Sequence, residues 1–235
     1  MEITGYGEDP LTYLAISNEE TVKGIFHQLE SQIQHKEDII QMIDTCKIYY
    51  KPSFGRGGNS GKNFGEFDAI IATKENIFLV ESKWFKYHGF PEVWPKAKAE
   101  RSVANKLIPV GKPFDPKEIQ RHKIFEMYYK GWAKILDSNF RKRLNFEFSK
   151  FGKQIIGPDS EKQMQADLYV NMKYMIAEFG KEKQINNVLL YFVPKILEDK
   201  FGVELQPVLK EANFKLVKIT YDSCNEWTTS HFKMN

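Results

Sequence analysis

The chain has 235 residues, 34 Lys and Arg against 31 Asp and Glu, a formal net charge of +3, and 42% hydrophobic and 14% aromatic residues. This composition excludes a disordered chain, and a length of this order buries roughly 70% of the unfolded surface without disulfide staples. The longest apolar run, Val188 to Val193, is six residues, far below the roughly 20 a spanning helix needs, so no membrane partner is expected.

The first residues, Met1-Glu2-Ile3-Thr4-Gly5, are acidic and polar, unlike a signal peptide. Cys46 and Cys224 make no CxxC site and read as free thiols of a reducing, cytoplasmic compartment. No internal repeat or low-complexity tract is present. Charge is unevenly spread. Lys83 to Lys153 holds 17 basic and 7 acidic residues, a local +10, while the rest of the chain carries −7. A basic middle in an otherwise acidic chain fits a polyanion partner, and equally a solvated lysine-rich surface.

Asn18 is a helix N-cap, and Val22, Ile25, Phe26, Leu29 and Ile33 follow at helical spacing. This predicts a helix over 19–34, extending toward Ile43. Cys46 to Lys51 reads as a strand, and Gly55 to Lys62 as a flexible basic loop. Phe67 to Thr73 and Ile77 to Trp84 form a β-hairpin around Lys74-Glu75-Asn76, with Asn76 suited to a left-handed turn position. Five prolines between residues 85 and 116 predict irregular structure, with a short helix at 96–106. Helices are predicted from Pro116 to Leu136 and from Ser160 to Phe179, the second stopped by Gly180. Along the first of these, the apolar face is read through Ile119, Ile124, Phe125, Tyr128, Trp132 and Ile135. Asn187 to Val193 is a buried central strand and Phe214 to Tyr221 a final strand.

The hairpin carries the chemistry. Asp68, Glu81 and Lys83 interrupt strands that are otherwise apolar. Burying such groups is costly unless they pair or bind a metal. Glu81 and Lys83, two apart on a strand, share a face. Register decides whether Asp68 joins them. Ala72 opposite Ile77 sets Asp68 opposite Glu81, and Lys74 opposite Ile77 sets Asp68 opposite Lys83. A regular Thr73–Ile77 register turns Asp68 away and excludes a shared site. Two hard carboxylates suit Mg²⁺, with Mn²⁺ as a substitute and the Ser82 carbonyl as a third ligand. Lys83 then stabilises charge on a phosphate in transfer, or orients or deprotonates the attacking water. A surface salt bridge is the plainer reading of the same three residues.

Asp68, twelve intervening residues and Glu81-Ser82-Lys83 on a hairpin resemble the PD-(D/E)xK nuclease superfamily, the restriction-endonuclease-like fold. Gly65-Glu66-Phe67-Asp68 with Ile77-Phe78-Leu79-Val80-Glu81-Ser82-Lys83 is also similar to its nuclease-related domains. The resemblance covers residues 19–84 well and the last strands loosely. It implies an α/β fold with a central mixed sheet flanked by helices. It implies a single domain over residues 1–235, with a core at 19–84 and about 117–221 and an insertion at 85–116. Asp68 and Glu81 would bind metal, Lys83 would be catalytic, and a first-helix glutamate would join them. Glu19 is the choice, because it lies in line with Val22 and Phe26; Glu20 and Glu30 are rivals. Two features depart from the family. Phe67 stands where proline is common, and Gln120 is followed at the motif spacing by Ile124 rather than Tyr.

Other signals carry less. Gly55 to Lys62 lacks the Walker pattern, with Arg56 and Asn63 at positions that need Gly and Ser or Thr. The five histidines show no metal spacing. Trp84, Trp94 and Trp132 read as core more readily than as base-stacking platforms. Beside a metal site, the basic residues become phosphate contacts: Arg56, Lys62, Lys96, Lys98, Arg101, Arg121, Lys123, Arg141, Lys142 and Arg143. The expected function is therefore a Mg²⁺-dependent endonuclease on double-stranded DNA, of restriction type, acting as a homodimer if both strands are cut. A repair, recombination or mobile-element nuclease and a non-catalytic nucleic-acid-binding module remain the alternatives.

Overall fold

Asn18 has extended backbone (φ −103°, ψ 118°), and its Oδ1 accepts from Thr21 N at 2.9 Å, capping helix α2 (Glu19–Glu30). The computed structural model describes residues 8–52, 66–84, 116–132, 173–180, 182–194, 213–223 and 232–233. Val22, Ile25, Phe26 and Leu29 form the buried stripe of α2. The helix stops at Glu30 instead of running toward Ile43. Asp38 supplies a physical reason. Its side chain accepts from Gln41 N and its carbonyl from Met42 N, so it starts a separate helix, α3 (Ile39–Thr45). A helix not foreseen from the sequence, α1 (Glu8–Ser17), comes first. Pro10 sits in its first turn, where the missing N–H removes no helical bond. Leu11, Ala15 and Ile16 are its buried apolar residues, with Thr12 buried among them.

Among the described residues six strands follow one another across a sheet in chain order: β1 (Lys47–Tyr50), β2 (Ala69–Ala72), β3 (Asn76–Trp84), β4 (Gln184–Pro194), β5 (Phe214–Ser223) and β6 (Phe232–Lys233). β1 and β2 are antiparallel, with Lys47 opposite Ala72 and Tyr50 opposite Ala69. β4 and β5 are parallel, from Asn187 opposite Phe214 to Pro194 opposite Tyr221. The two-residue β6 closes antiparallel on the end of β5. The protein is thus mixed α/β with a mixed sheet. The expected strands at 46–51, 187–193 and 214–221 are all present. Residues 55–62 and 85–115, with the helix expected at 96–106, lie outside the described residues, as does the first part of the helix expected from Ser160.

By internal contact the chain forms two compact units, one of residues 1–44, 80–113 and 187–235, the other of 45–79 and 114–186. In the second unit, the hairpin turn fixes its own register. Thr73 N donates to Asn76 O at 2.8 Å, while Thr73 Oγ1 accepts from Asn76 N at 3.1 Å. Thr73 therefore faces Asn76, and Ala72 faces Ile77. Asn76 opens β3 and does not take the expected left-handed conformation. The threonine hydroxyl, by holding Asn76 N, supports the turn instead.

Packing agrees with this register. Ile70 and Ala72 from β2 share one cluster with Ile77 and Leu79 from β3, as partners on one face must. Over them lie Phe125 and Tyr129 of α4 (Pro116–Lys130), and Met175 and Ile176 of α5 (173–179). α4 begins at Pro116 as expected and ends at Lys130, ahead of Leu136. α5 stops where expected: Gly180 has φ +81°, and its N–H donates to Ile176 O. β4 enters this unit beside the start of β3, with Gln184 N donating to Glu75 O at 3.0 Å and Asn186 Nδ2 to Asn76 Oδ1 at 2.9 Å.

In the first unit, α2 covers an edge of β5. Gln28 bonds Lys218 through both its amide groups, each at 2.9 Å, and Gln32 bonds Leu216 in the same way at 2.9 and 3.2 Å. Four residues of helix rise about 6 Å. Two residues of strand rise about 6.6 Å, so a Gln pair at i and i+4 matches alternate strand residues. The side-chain amides stand in for a neighbouring strand.

Candidate functional site

The hairpin residues are divided between the two units, Asp68 in one and Glu81, Ser82 and Lys83 in the other. Asp68 lies just ahead of β2 with 8% of its surface exposed. Glu81 is 2% exposed and Ser82 fully buried in the apolar strand β3, and Lys83 is half-buried. Glu81 and Lys83 share the parity of Ile77 and Leu79. Carboxylates at this depth are costly unless they are paired or ligate a cation.

The segment Glu66-Phe67-Asp68 is held from two sides within its unit. From the end of β1, Lys51 N donates to Asp68 O at 3.1 Å, and Lys51 Nζ lies 3.6 Å from the Glu66 carboxylate. Lys51 makes this bend with φ +47°, in the left-handed region that non-glycine residues rarely adopt. From α4, Arg121 Nη1 donates to the Glu66 carbonyl, and the guanidinium carbon lies 5.5 Å from the centre of the Phe67 ring. His122, 2% exposed, meets the same ring edge-on at 4.8 Å, and Phe125 does so at 5.9 Å.

Arg121 was read from the sequence as a phosphate contact. Its guanidinium is engaged by its own chain at the residues preceding Asp68. His122 is buried against the Phe67 ring. The sequence reading missed the clamp, although its signal was present. Arg121, Phe125 and Tyr129 follow at four-residue spacing, and His122 precedes Phe125 by three, which brings all of them to the Phe67 side of the helix.

The remaining candidates are dispersed or not described. Lys123 is exposed on α4. Arg56, Lys62, Lys96, Lys98, Arg101, Arg141, Lys142 and Arg143 lie outside the described residues. Glu19, chosen because it lies in line with Val22 and Phe26, opens α2 with its side chain exposed, and Glu20 and Glu30 are exposed as well. An acidic first turn favours the helix dipole whatever else it does. Among the described residues no group of three or more His, Cys, Asp or Glu is placed to hold a metal ion. Asp68 and Glu81, each buried in its own unit, and the Ser82 main-chain carbonyl are hard oxygen donors of the kind Mg²⁺ takes.

Cys46 is a free, half-buried thiol whose pKa burial pushes up, the opposite of a reactive cysteine. No helix among the described residues is long and apolar enough to cross a membrane. Comparison with protein-family models, curated proteins and solved structures returns no match.

Proposed function

We propose that this chain is a Mg²⁺-dependent endonuclease of the PD-(D/E)xK type, acting on double-stranded DNA and most simply a restriction-type enzyme of the cytoplasm. The observation that carries the reading is the Thr73–Asn76 turn register. In this reading the same register continues along the hairpin to Asp68 opposite Glu81, with Lys83 on their face. It is one of the registers that a shared site allows, and a Thr73–Ile77 register would have excluded one. The near-complete burial of both carboxylates is the second support.

In this reading Asp68, Glu81 and the Ser82 carbonyl hold the cation. When bound, Mg²⁺ supplies charge neutralisation at the phosphate and an acidified water. Lys83 places an ammonium beside the reacting phosphate, where it offsets developing negative charge or orients the attacking water. The basic stretch from Lys83 to Lys153 supplies sequence-independent attraction to the DNA backbone. Double-strand cleavage would call for a second copy of the chain.

The test is incubation of supercoiled plasmid with the full chain, in Mg²⁺ and in EDTA. Nicking and linearisation in Mg²⁺ alone are expected. Discrete fragments identify a sequence-specific enzyme, and unspecific or structure-selective nicking a repair, recombination or mobile-element type. Salt-sensitive binding with no cleavage in Mg²⁺ or Mn²⁺ would overturn the enzyme and leave a binding module.

A further inference from the structure

Asp68 precedes β2, so the backbone that presents its carboxylate is not itself part of that strand. What holds this backbone is a set of main-chain and side-chain groups from outside the hairpin. Arg121 of α4 donates to the carbonyl of Glu66 and covers one side of the Phe67 ring. Lys51 holds the Asp68 carbonyl and faces the Glu66 carboxylate. A planar guanidinium does two things here that a flexible ammonium does less well. It donates in a fixed direction to one carbonyl, and it lies against an aromatic ring.

We propose that Arg121 is a positioning residue for metal binding, a latch from α4 that fixes the Glu66–Phe67 backbone and through it the Asp68 carboxylate. The inference rests on the nuclease reading for the identity of the ligand. It replaces the role as a phosphate contact that the sequence alone suggested for Arg121. Partners that orient a metal ligand typically contribute about 10–100-fold in metal affinity. The latch is worth a shift at the lower end of that range, because it acts through main chain rather than on the carboxylate directly.

The test is calorimetric titration of the full-length protein with Mn²⁺ in the absence of DNA, together with DNA affinity measured in EDTA over a range of salt. Arg121→Ala is expected to weaken Mn²⁺ binding about tenfold, with DNA affinity and its salt slope unchanged. Arg121→Lys, which keeps the charge and the fold, is expected to show a smaller loss of the same kind. In an Asp68→Asn background, Arg121→Ala should weaken Mn²⁺ binding no further. Unchanged Mn²⁺ affinity in folded Arg121→Ala or Arg121→Lys overturns the latch while leaving the nuclease reading intact. A fall in DNA affinity with a shallower salt slope returns Arg121 to phosphate binding. Absence of Mn²⁺ binding by the wild-type chain overturns the metal site itself, and the latch with it.

Discussion

At the scale of single residues, the charged positions within the hairpin were legible because they broke a pattern. Asp68, Glu81 and Lys83 stand out against apolar neighbours, and Asp68 and Glu81 are buried. What the sequence left obscure is what those residues touch. Arg121 looked like one cation of a basic stretch, and only the rotation of α4 turns it onto Glu66 and Phe67. Asn76 has the composition of a left-handed turn residue, but the Thr73 hydroxyl offered its N–H another partner. Tyr129 gives a prediction at this scale. Its hydroxyl donates to Gly180 O at 3.0 Å and accepts from Lys183 N at 3.2 Å. Burial pushes its pKa above the ordinary 10.0, the Lys183 N–H opposes that shift, and the charge of Glu182 adds to it. A raised folded-state pKa stabilises fully below the unfolded value and is lost as pH rises through the folded one. Urea midpoints should therefore fall above about pH 10, and Tyr129→Phe should make that fall shallower. A variant that tracks the wild type at every pH would remove Tyr129 from the alkaline transition.

At the scale of elements, strands were the most legible feature, because runs such as Val188 to Val193 admit little else. Helix limits were less so. The apolar spacing from Val22 to Ile33 does not reveal that Asp38 restarts the helix. The Gln28–Gln32 ladder on β5 was invisible for the same reason that the Arg121 latch was: it depends on which element lies alongside. Each glutamine satisfies a backbone N–H and C=O, so Gln28→Ala and Gln32→Ala should each lower unfolding free energy by about 1 kcal/mol. Denaturant melts check this, and the double variant should aggregate more readily with the edge of β5 uncovered. The hairpin register yields a sharper test. Thr73 and Asn76 are a hydrogen-bonded pair, so the proposed placing of Asp68 opposite Glu81 would make these two a non-hydrogen-bonded pair, for which Cα atoms about 4.5 Å apart are expected. That spacing suits a disulfide. In a chain with Cys46→Ser and Cys224→Ser, Asp68→Cys with Glu81→Cys should cross-link on mild oxidation, and Asp68→Cys with Lys83→Cys should do so far less. The reverse order, read by non-reducing electrophoresis, would assign the other shared-face register.

At the scale of the whole molecule, a net charge of +3 conceals a basic middle of +10. The mixed α/β class with its mixed sheet was legible from the order of helices and strands. The division into two units was not, since it falls inside strands β3 and β4 rather than at a linker. Charge asymmetry becomes a functional statement only if it acts on DNA. Reversing Arg141 and Arg143 to Glu should weaken duplex binding and flatten its dependence on salt, because fewer counterions are released. An unchanged slope would make that run ordinary solvated surface. The central claim is that Asp68 and Glu81 hold a cation that cuts the bound polyanion. The measurement that tests it most directly is Mg²⁺-dependent plasmid cleavage by Asp68→Ala, paired with duplex binding in EDTA. Cleavage should fall at least about 100-fold while binding stays at the wild-type level. Cleavage at the wild-type rate by the folded variant would contradict the account.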